Sequence, residues 1–211
     1  MNRFSRLLLS AATLTLAAGC ATTGSSAGSN QEPSTHVKPA DLEGTWTSAV
    51  CEAMPPNADG SRTYFKRVFK ISKADWTLNF QAFGDAACTY KLFTARVEGP
   101  YTLLQDSAKV GGATEGNFQF ARQYMTAYVQ PVADWFTGAK CGNGPWKLGE
   151  EKETTMTGCV FLRPVAACGM DHDVVKVEGK QLYFGHRPAD NDMCTPDKRP
   201  TALAEVAVVR D

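Results

Sequence analysis

Residues 64–83 read YFKRVFKISKADWTLNFQAF, and the apolar members recur at every second position on either side of the polar segment SKAD. A period of two is typical of β-strands that bury one face. We therefore predict one strand over 64–71 and a second strand that begins near Trp76. The residues that share the apolar faces are Phe65, Phe69 and Ile71 in the first strand and Trp76, Leu78 and Phe80 in the second.

The same alternation continues along the chain, with Gly, Asp, Asn or Pro residues between the runs. About eight short strands with frequent turns are typical of an antiparallel barrel or sandwich, and closure into a barrel removes exposed strand edges. We predict an all-β fold built as an antiparallel β-barrel. The further sets that share a face are Phe93, Ala95 and Val97; Phe118 and Phe120; Leu182 and Phe184; and Val206 and Val208.

One short helix interrupts this pattern. Pro131 suits a first helical position, and Gly138 suits the end of the helix. Val132, Trp135 and Phe136 lie at i, i+3 and i+4, which forms an apolar stripe. We predict that this helix packs on the sheet with Trp135 as a core-facing anchor.

The amino-terminal segment has the order of an export signal. A short basic start and an apolar segment at 7–16 precede the small residues 17–19 and Cys20. About 20 apolar residues are needed to cross a bilayer, so this shorter segment is predicted to be a signal peptide over 1–19. The order resembles the signal of bacterial lipoproteins, which implies fatty acylation of Cys20, with palmitate as a typical acyl group.

Residues 20–39 are mostly Ser, Thr, Gly, Ala and Asn, which gives them too little apolar area to offset the entropy of ordering. We predict a flexible tether over 20–39 and a single domain over 40–211. The lipoprotein resemblance places the chain in a bacterial cell envelope. Ala21 after the cysteine implies the outer membrane, with the domain facing the periplasm or the cell surface.

The charge balance excludes a nucleic-acid binder. The chain has 22 basic and 22 acidic residues, and the domain that remains after removal of the signal is near neutral. No basic stripe is present to neutralise phosphates. We expect the group Lys66, Arg67 and Lys70 to form the solvent-exposed side of a strand.

Six cysteines follow Cys20, and an even number in an exported chain predicts three disulfides. Spacing alone leaves the connectivity open, and pairing between sequence neighbours is the simplest solution. A metal site is a poor alternative, because no CxxC pair occurs and the three histidines are scattered. The six residues are Cys51, Cys88, Cys141, Cys159, Cys168 and Cys194.

Catalytic motifs are not apparent, and we predict no enzyme and no cofactor. The chain contains no GxSxG, HExxH or Walker sequence. The string Asp171-His172-Asp173 has the residue types of a carboxylate-oriented base, but strand neighbours point to opposite faces, and we expect a solvated turn there. We also expect a loop over 186–190, in which Arg187 pairs locally with Asp190.

A series of short strings, in order along the domain, resembles the domain of the adenomatosis polyposis coli down-regulated proteins, which are membrane-anchored Wnt inhibitors of animals. The strings are Gly44-Thr45-Trp46, Cys51-Glu52, Asp85-Ala86-Ala87-Cys88, Gly99-Pro100-Tyr101, Gly111-Gly112 with Thr114-Glu115, Cys141-Gly142, Gly144-Pro145-Trp146, Thr157-Gly158-Cys159-Val160, and Leu182-Tyr183-Phe184-Gly185 with Arg187-Pro188 and Asp190.

This resemblance implies a barrel-like domain with a hydrophobic cavity that binds lipid or a lipid-modified protein. It also implies disulfides between Cys51 and Cys88 and between Cys141 and Cys159. Gly44-x-Trp46 is similar to the first-strand signature of lipocalins, in which a late arginine packs over the tryptophan. Arg210 is the candidate for that arginine.

Together these patterns predict a non-enzymatic envelope lipoprotein that holds a hydrophobic ligand, such as an acyl chain or a lipid-modified molecule, in a lipocalin-like barrel or half-barrel. The alternative is a module with a filled core that binds an envelope protein partner or serves a structural role. An enclosed apolar space would favour the first hypothesis and a packed interior the second. The predicted ligand-binding residues are Trp76, Leu78, Phe80, Phe93, Phe118, Phe120 and Phe184.

Overall fold

The computed structural model describes residues 36–211. The predicted signal peptide, the predicted lipidation site Cys20 and most of the predicted tether lie outside the described residues. The strands are β1 (Gly44–Ser48), β2 (Glu52–Ala53), β3 (Tyr64–Ile71), β4 (Asp75–Phe83), β5 (Lys91–Asp106), β6 (Thr114–Gln119), β7 (Arg122–Ala127), β8 (Glu151–Glu153), β9 (Met170–Glu178), β10 (Gln181–Phe184) and β11 (Val208–Arg210). The helices are α1 (Pro39–Leu42), α2 (Gln130–Gly138) and a 3-10 turn at Pro196–Lys198.

Within residues 36–211, eight strands form a closed antiparallel barrel, which confirms the predicted fold class. The order around the barrel is β1, β3, β4, β5, β6, β9, β10 and β11, and β11 pairs back with β1. The alternating segments at 64–71 and 75–83 form the β3–β4 hairpin, with Phe69 opposite Leu78. This closure leaves β1, β3 and β4 with a partner on each side, so their backbone groups are satisfied within the sheet.

Strand β5 is 16 residues long and connects the barrel to a two-strand extension. Its segment 93–98 pairs with β7, which pairs with β8, whereas its segment 101–106 pairs with β6 on the same side. The chain passes from β6 to β7 at the level of Gly99, where an added Cβ would lie 2.2 Å from the carbonyl oxygen of Gln119. Only glycine permits this close backbone approach.

One end of the barrel interior is tightly filled. Trp46 is fully buried, and its indole N–H donates to the carbonyl oxygen of Leu42 in α1 at 2.7 Å. The guanidinium of Arg210 lies 4.4 Å from the Trp46 ring centroid and donates to the carbonyl oxygen of Asp41. This geometry confirms the arginine–tryptophan pair that the lipocalin-like signature implied. It closes one end of the barrel with a cation–π contact.

Helix α2 confirms the predicted helix but buries a different face. Val132, Ala133 and Phe136 are buried, whereas Trp135 is 47% exposed. Successive side chains of a helix are rotated by about 100°. Ala133 and Phe136 are therefore rotated from Val132 in one sense, towards the core, and Trp135 is rotated from it in the opposite sense. The prediction that Trp135 is a core-facing anchor was therefore wrong.

Three disulfides join cysteines that are neighbours in sequence: Cys51–Cys88, Cys141–Cys159 and Cys168–Cys194. The pairing confirms the simplest predicted connectivity. The first bond joins the segment after β1 to the β4–β5 turn, and the second joins the end of α2 to the irregular segment before β9. With sequence separations of 37, 18 and 26 residues, each bond stabilises the fold by about 3–4 kcal/mol on the chain-entropy model.

Candidate ligand-binding lumen

The inner face of the barrel is defined by the strand register. Phe69, Leu78 and Val97 lie opposite one another across β3, β4 and β5, and Phe80 is opposite Ala95 one step further along. Phe69, Val97 and Ala95 are buried, but Leu78 and Phe80 are only half-buried although strands flank them on both sides. We call the region of the inner face around these half-buried side chains the lumen.

Aromatic rings surround the lumen at the end that lies away from Trp46. The Phe80 ring stacks on Phe65 with a centroid distance of 5.1 Å and meets Phe161 edge-on at 5.6 Å. Phe93 lies 6.1 Å from Phe161 and 5.8 Å from Phe136 of α2. The helix and the segment before β9 therefore supply part of the wall. Such edge-to-face and stacked pairs are favourable arrangements of buried rings.

The seven residues predicted to bind ligand occupy two environments. Trp76, Phe118 and Phe184 are buried at the filled end, where Trp76 meets Phe118 at 5.3 Å and Phe118 meets Phe184 at 5.7 Å. Phe93 is buried beside α2. Leu78, Phe80 and Phe120 are half-buried and keep accessible surface. All seven belong to or pack against the two main core clusters, and ligand binding by them stays a prediction.

Two wall residues, Phe161 and Leu162, were missed by the sequence analysis. Leu162 packs against both main core clusters, so it joins the filled end to the region around α2. Both residues lie in an irregular segment that has no strand or helix period. The available signal was their position just after Cys159, whose disulfide fixes the segment next to α2.

An ion pair lies on the inner face among the apolar residues. Nε and Nη2 of Arg67 donate to the two carboxylate oxygens of Glu52, each at 2.9 Å, and the Ser48 hydroxyl donates to Glu52 at 2.6 Å. The two charged side chains are 14% and 8% exposed. The expectation that Arg67 lies on the solvent side was wrong, because the period of two that orients Phe65 inward also orients Arg67 inward.

The string Asp171-His172-Asp173 lies in β9 and is buried, so the prediction of a solvated turn was wrong. Asp171 and Asp173 face inward, opposite Phe118 and Gly116, whereas His172 faces outward and lies 3.0 Å from Oδ1 of Asn117. Burial lowers the pKa of His172, and the positive charge of Arg199 lowers it further. Histidine and carboxylates therefore lie on opposite faces of the strand, as the alternation of β-strands requires.

The Asp173 carboxylate is the most strongly perturbed acid on this strand. Burial raises the pKa of Asp173 to about 7. The opposing influences are hydrogen bonds that its Oδ1 accepts from the N–H groups of Val174 at 2.7 Å and Gly185 at 2.9 Å, together with the nearby charges of Arg199 and Arg67. Desolvation of the charged form outweighs these contacts.

Arg187 brings a second cation to the inner face. Its guanidinium donates to the carboxylate of Asp171 and, at 2.7 Å, to Oδ1 of Asn191. The expected local pair with Asp190 was wrong, because Asp171 takes that place. Burial lowers the pKa of Arg187 to about 10, yet 45% of its side-chain surface is accessible. The accessible part of the Arg187 side chain is solvated, which limits the free-energy cost of burying its charge.

Two cavities lie on the outer face of β6 and β9, apart from the lumen. They have volumes of about 270 and 680 Å³, and their walls share Asn117, His172 and Pro196. Arg199 lines the smaller one, where it donates to the Gly116 carbonyl and to Asn117. None of the seven predicted ligand-binding residues lines either cavity. The smaller cavity is lined by the charged side chains of Lys109, Glu115 and Arg199, which a hydrophobic ligand would have to desolvate.

The described residues contain neither a metal-binding cluster nor a membrane-spanning helix. Among residues 36–211, no group of three or more His, Cys, Asp or Glu side chains is placed to hold a metal ion. In the same range, none of the helices has the length and apolar character needed to span a bilayer.

The chain is similar to a known protein family. A family model described as adenomatosis polyposis coli down-regulated 1 matches residues 26–156, more than half of the 211 residues. The matched range includes β1 to β8, helix α2 and the Cys51–Cys88 disulfide.

Proposed function

The chain belongs to the adenomatosis polyposis coli down-regulated 1 family, and on that premise we propose that it is a non-enzymatic binding protein that holds a hydrophobic ligand in its barrel lumen. The ligand class is an acyl chain or a lipid-modified molecule. The observation that carries the proposal is the half-burial of Leu78 and Phe80 on the inner face of a closed barrel. Apolar side chains left accessible inside a barrel are the wall that such a ligand requires.

The energetics favour a chain-like apolar ligand. Each Å² of apolar surface removed from water contributes about 25 cal/mol. A bound chain would cover the accessible parts of Leu78, Phe80, Phe161 and Leu162, which come from both the sheet and the segment before β9. The wall therefore offers apolar contact on more than one side.

A small number of polar groups would set the orientation of the ligand. Arg187, which is accessible and paired with Asp171, has guanidinium donors beyond those used by Asp171 and Asn191. Asn191 also donates to the carbonyl oxygen of Phe161 at 3.2 Å, which connects this polar group to the aromatic wall. A polar head placed near Arg187 would leave the apolar chain against the rings.

We further propose that the domain is attached to a bacterial envelope membrane by acyl groups on Cys20, with the segment between Cys20 and His36 as the tether and the outer membrane as the site. Residues 36–39 belong to the domain, because Val37 is buried and Pro39 begins α1. The support is the order of the first 20 residues. The expected result of intact mass measurement on protein from membranes is the mass of a chain that begins at Cys20 plus its acyl groups. A Cys20→Ser chain, exported behind a cleavable signal, that a high-salt wash removes from membranes while the parent chain stays would agree with this, and equal retention of both chains after that wash would contradict it.

The binding proposal is tested on the chain exported behind a cleavable signal with Cys20→Ser. Native mass spectra are recorded before and after organic extraction and after addition of palmitic acid or its methyl ester. The expected result is a stoichiometric mass increase on addition. A chain that stays bare with both compounds would contradict the proposal.

Substitution Leu78→Trp separates an open lumen from a filled core. In an open lumen the larger ring occupies the ligand's space, so ligand binding is lost while the melting temperature is kept. In a filled core the extra volume destabilises the fold by about 1–3 kcal/mol. Asn79→Ser, on the outer face of the same strand, is the control and should leave both properties unchanged.

The second candidate function is an envelope interaction module with a filled core. It is favoured by the packing of α2 and the segment before β9 against the inner face, where Phe136 and Met125 are fully buried. The Leu78→Trp comparison decides between the two candidates, because only the filled core loses stability.

A further inference from the structure

The exposed large apolar side chains are concentrated at one end of the barrel. Among residues 36–211, seven such side chains are exposed; four of them follow or precede strands that end at this place, and a fifth lies in α2, which follows one of these strands. We call these five the apolar rim. They are Val50 at 56% exposure, Tyr90 at 55%, Tyr128 at 39%, Trp135 at 47% and Leu148 at 49%.

Backbone contacts and a disulfide bring the apolar rim together. The Cys51–Cys88 bond joins the segment of Val50 to the turn before Tyr90. The Tyr128 N–H donates to the Leu92 carbonyl at 2.9 Å, next to the start of β5. The Gly149 N–H donates to the Ala127 carbonyl at 2.8 Å, which places the segment of Leu148 beside Tyr128. Four separate chain segments thus meet at one end of the barrel.

The composition of the apolar rim is that of a membrane-interface surface. Trp and Tyr are enriched at the level of lipid headgroups, where one part of the ring is apolar and the other is polar. Lysines accompany them: the Lys91 ammonium lies 5.1 Å from the Tyr128 ring centroid, and Lys140 and Lys147 are exposed nearby in sequence. Cations at this level favour an anionic lipid surface.

Acidic groups in the same region are largely engaged. Asp85 accepts hydrogen bonds from the backbone N–H groups of Thr89 and Tyr90, and Glu151 forms an ion pair with Arg96 at 2.7 Å. Asp134 accepts from the side-chain amide of Gln130 at 2.8 Å, while Glu150 lies 3.6 Å from Lys147. Asp85 and Asp134 keep their negative charge, but they lie in no ion pair with Lys91 or Lys140, which have no acidic partner within 4.0 Å among the described residues. The ammonium groups of these two lysines are therefore available to bind lipid phosphates.

Ring contacts connect the apolar rim to the lumen. Trp135 meets Phe93 with a centroid distance of 6.5 Å, and Phe93 meets Phe80 at 6.3 Å. These contacts lead from a half-exposed ring on α2 to a half-buried ring of the lumen wall. The apolar rim and the lumen wall are therefore joined by one continuous series of aromatic contacts through the buried ring of Phe93.

We infer that the apolar rim docks onto an anionic lipid bilayer and is the port through which the lumen exchanges its ligand with that bilayer. The docking surface consists of the five rim side chains with Lys91 and Lys140 around them. The exchange role, though not the docking itself, rests on the proposed function.

The test uses the same exported Cys20→Ser chain with vesicles of phosphatidylcholine alone or mixed with phosphatidylglycerol. We expect co-sedimentation with the anionic vesicles and weaker binding at high salt. Trp46, Trp76 and Trp146 are 7% exposed or less, so a blue shift of tryptophan emission on docking would report mainly Trp135. Failure of the chain to sediment with anionic vesicles would overturn the inference.

A rim variant with Trp135→Ser and Leu148→Ser should bind these vesicles at least about tenfold more weakly, because two large apolar side chains no longer leave water. The matched control is Met156→Ser. Met156 is 81% exposed but lies beyond β8, next to the Gln123 end of β7, and its replacement should leave vesicle binding unchanged. An equal loss in both variants would contradict a specific rim.

Ligand loading from dispersed palmitic acid is measured on the same samples, so that the two proposals fail separately. A chain that sediments with vesicles but never binds palmitic acid would support the docking surface and contradict ligand binding in the lumen. A chain that binds palmitic acid but does not sediment with vesicles would contradict the docking surface and support ligand binding in the lumen. Rim variants should load dispersed ligand as the parent does but exchange it with vesicles more slowly.

Discussion

The Arg67–Glu52 pair is a charged contact inside an otherwise apolar wall. Replacing Arg67 with Met leaves the Glu52 carboxylate without its bidentate partner, and the loss of one member of a buried pair costs about 3–5 kcal/mol. We expect a fall of that size in the free energy of unfolding, measured by urea denaturation. The double variant Arg67→Met with Glu52→Gln should recover much of the loss. A single variant as stable as the parent would show that the pair is solvated.

The buried carboxyl of Asp173 gives the protein a defined pH dependence. Its folded pKa of about 7 is above the ordinary value near 4, so the folded state keeps a proton that the unfolded state has released between these two pH values. This contribution to stability is complete below about pH 4, declines as pH rises to about 7, and changes little above that. His172, whose pKa is lowered, contributes the opposite slope below its ordinary pKa of 6.5.

Asp173→Asn isolates the aspartate contribution because the histidine is unchanged. We expect the variant to be more stable than the parent at pH 8, where the parent holds a buried charge. The two proteins should converge towards pH 4, because the protonated acid and the amide are then both neutral. Urea denaturation across pH 4–8 measures the difference. A difference that stays constant with pH would exclude an elevated pKa for Asp173.

At the residue scale, the sequence predicted positions better than roles. The alternation of β3 assigned Arg67 to the inner face together with Phe65, but its charge led to the opposite expectation. Asp171 and Arg187 form an ion pair although they are 16 residues apart in sequence, and no local sequence pattern predicts a pair at such a separation. Phe161 and Leu162 were invisible for a related reason, because an irregular segment has no period from which a buried face can be read.

Helix α2 buries Phe136 on one face and leaves Trp135 partly exposed on another. Phe136 is fully buried, so Phe136→Ala should lower the free energy of unfolding by about 3–5 kcal/mol through lost burial and a residual cavity. Trp135→Ala should change it by less than about 1 kcal/mol, because nearly half of that ring is exposed. Thermal or urea unfolding distinguishes the two. A larger effect at Trp135 would reverse the orientation described for the helix.

Among the elements, long and alternating strands were predictable and short ones were not. The runs at 64–71 and 75–83 contain enough residues to display their period and were recovered as β3 and β4. Strands β2, β8 and β11 contain two or three residues each, which is too few to show any period. Their pairing is decided by the neighbouring strands and by the disulfides.

At the scale of the whole molecule, the Cys168–Cys194 disulfide attaches the segment after β10 to the start of β9. The Cys168–Cys194 bond closes a loop with a separation of 26 residues, and its absence should cost about 3–4 kcal/mol on the chain-entropy model. We expect the double variant Cys168→Ala with Cys194→Ala to melt at a lower temperature but to keep the strand signal in far-UV circular dichroism. Loss of that signal would mean that the bond is required for closure of the barrel itself.

The architecture was predictable as a class but not as a topology. The number of alternating runs, together with the family resemblance, led to an antiparallel barrel, and that class is confirmed. The order of strands around the barrel depends on long-range pairing, such as β1 with β11 and β6 with β9, which no local pattern encodes. The pairing of β5 with two different strands on the same side, β7 along its first part and β6 along its second part, is also a long-range property.

Helix α1 and the apolar rim lie at opposite ends of the barrel. The described chain begins at the filled end, where the Val37 N–H donates to the Thr114 hydroxyl at 2.8 Å and Leu42 holds Trp46. The apolar rim lies at the other end of β1, beyond Ser48. The place where the described chain enters the barrel and the apolar rim therefore lie at opposite ends, so a fluorophore or affinity tag attached just before residue 36 would leave the apolar rim uncovered.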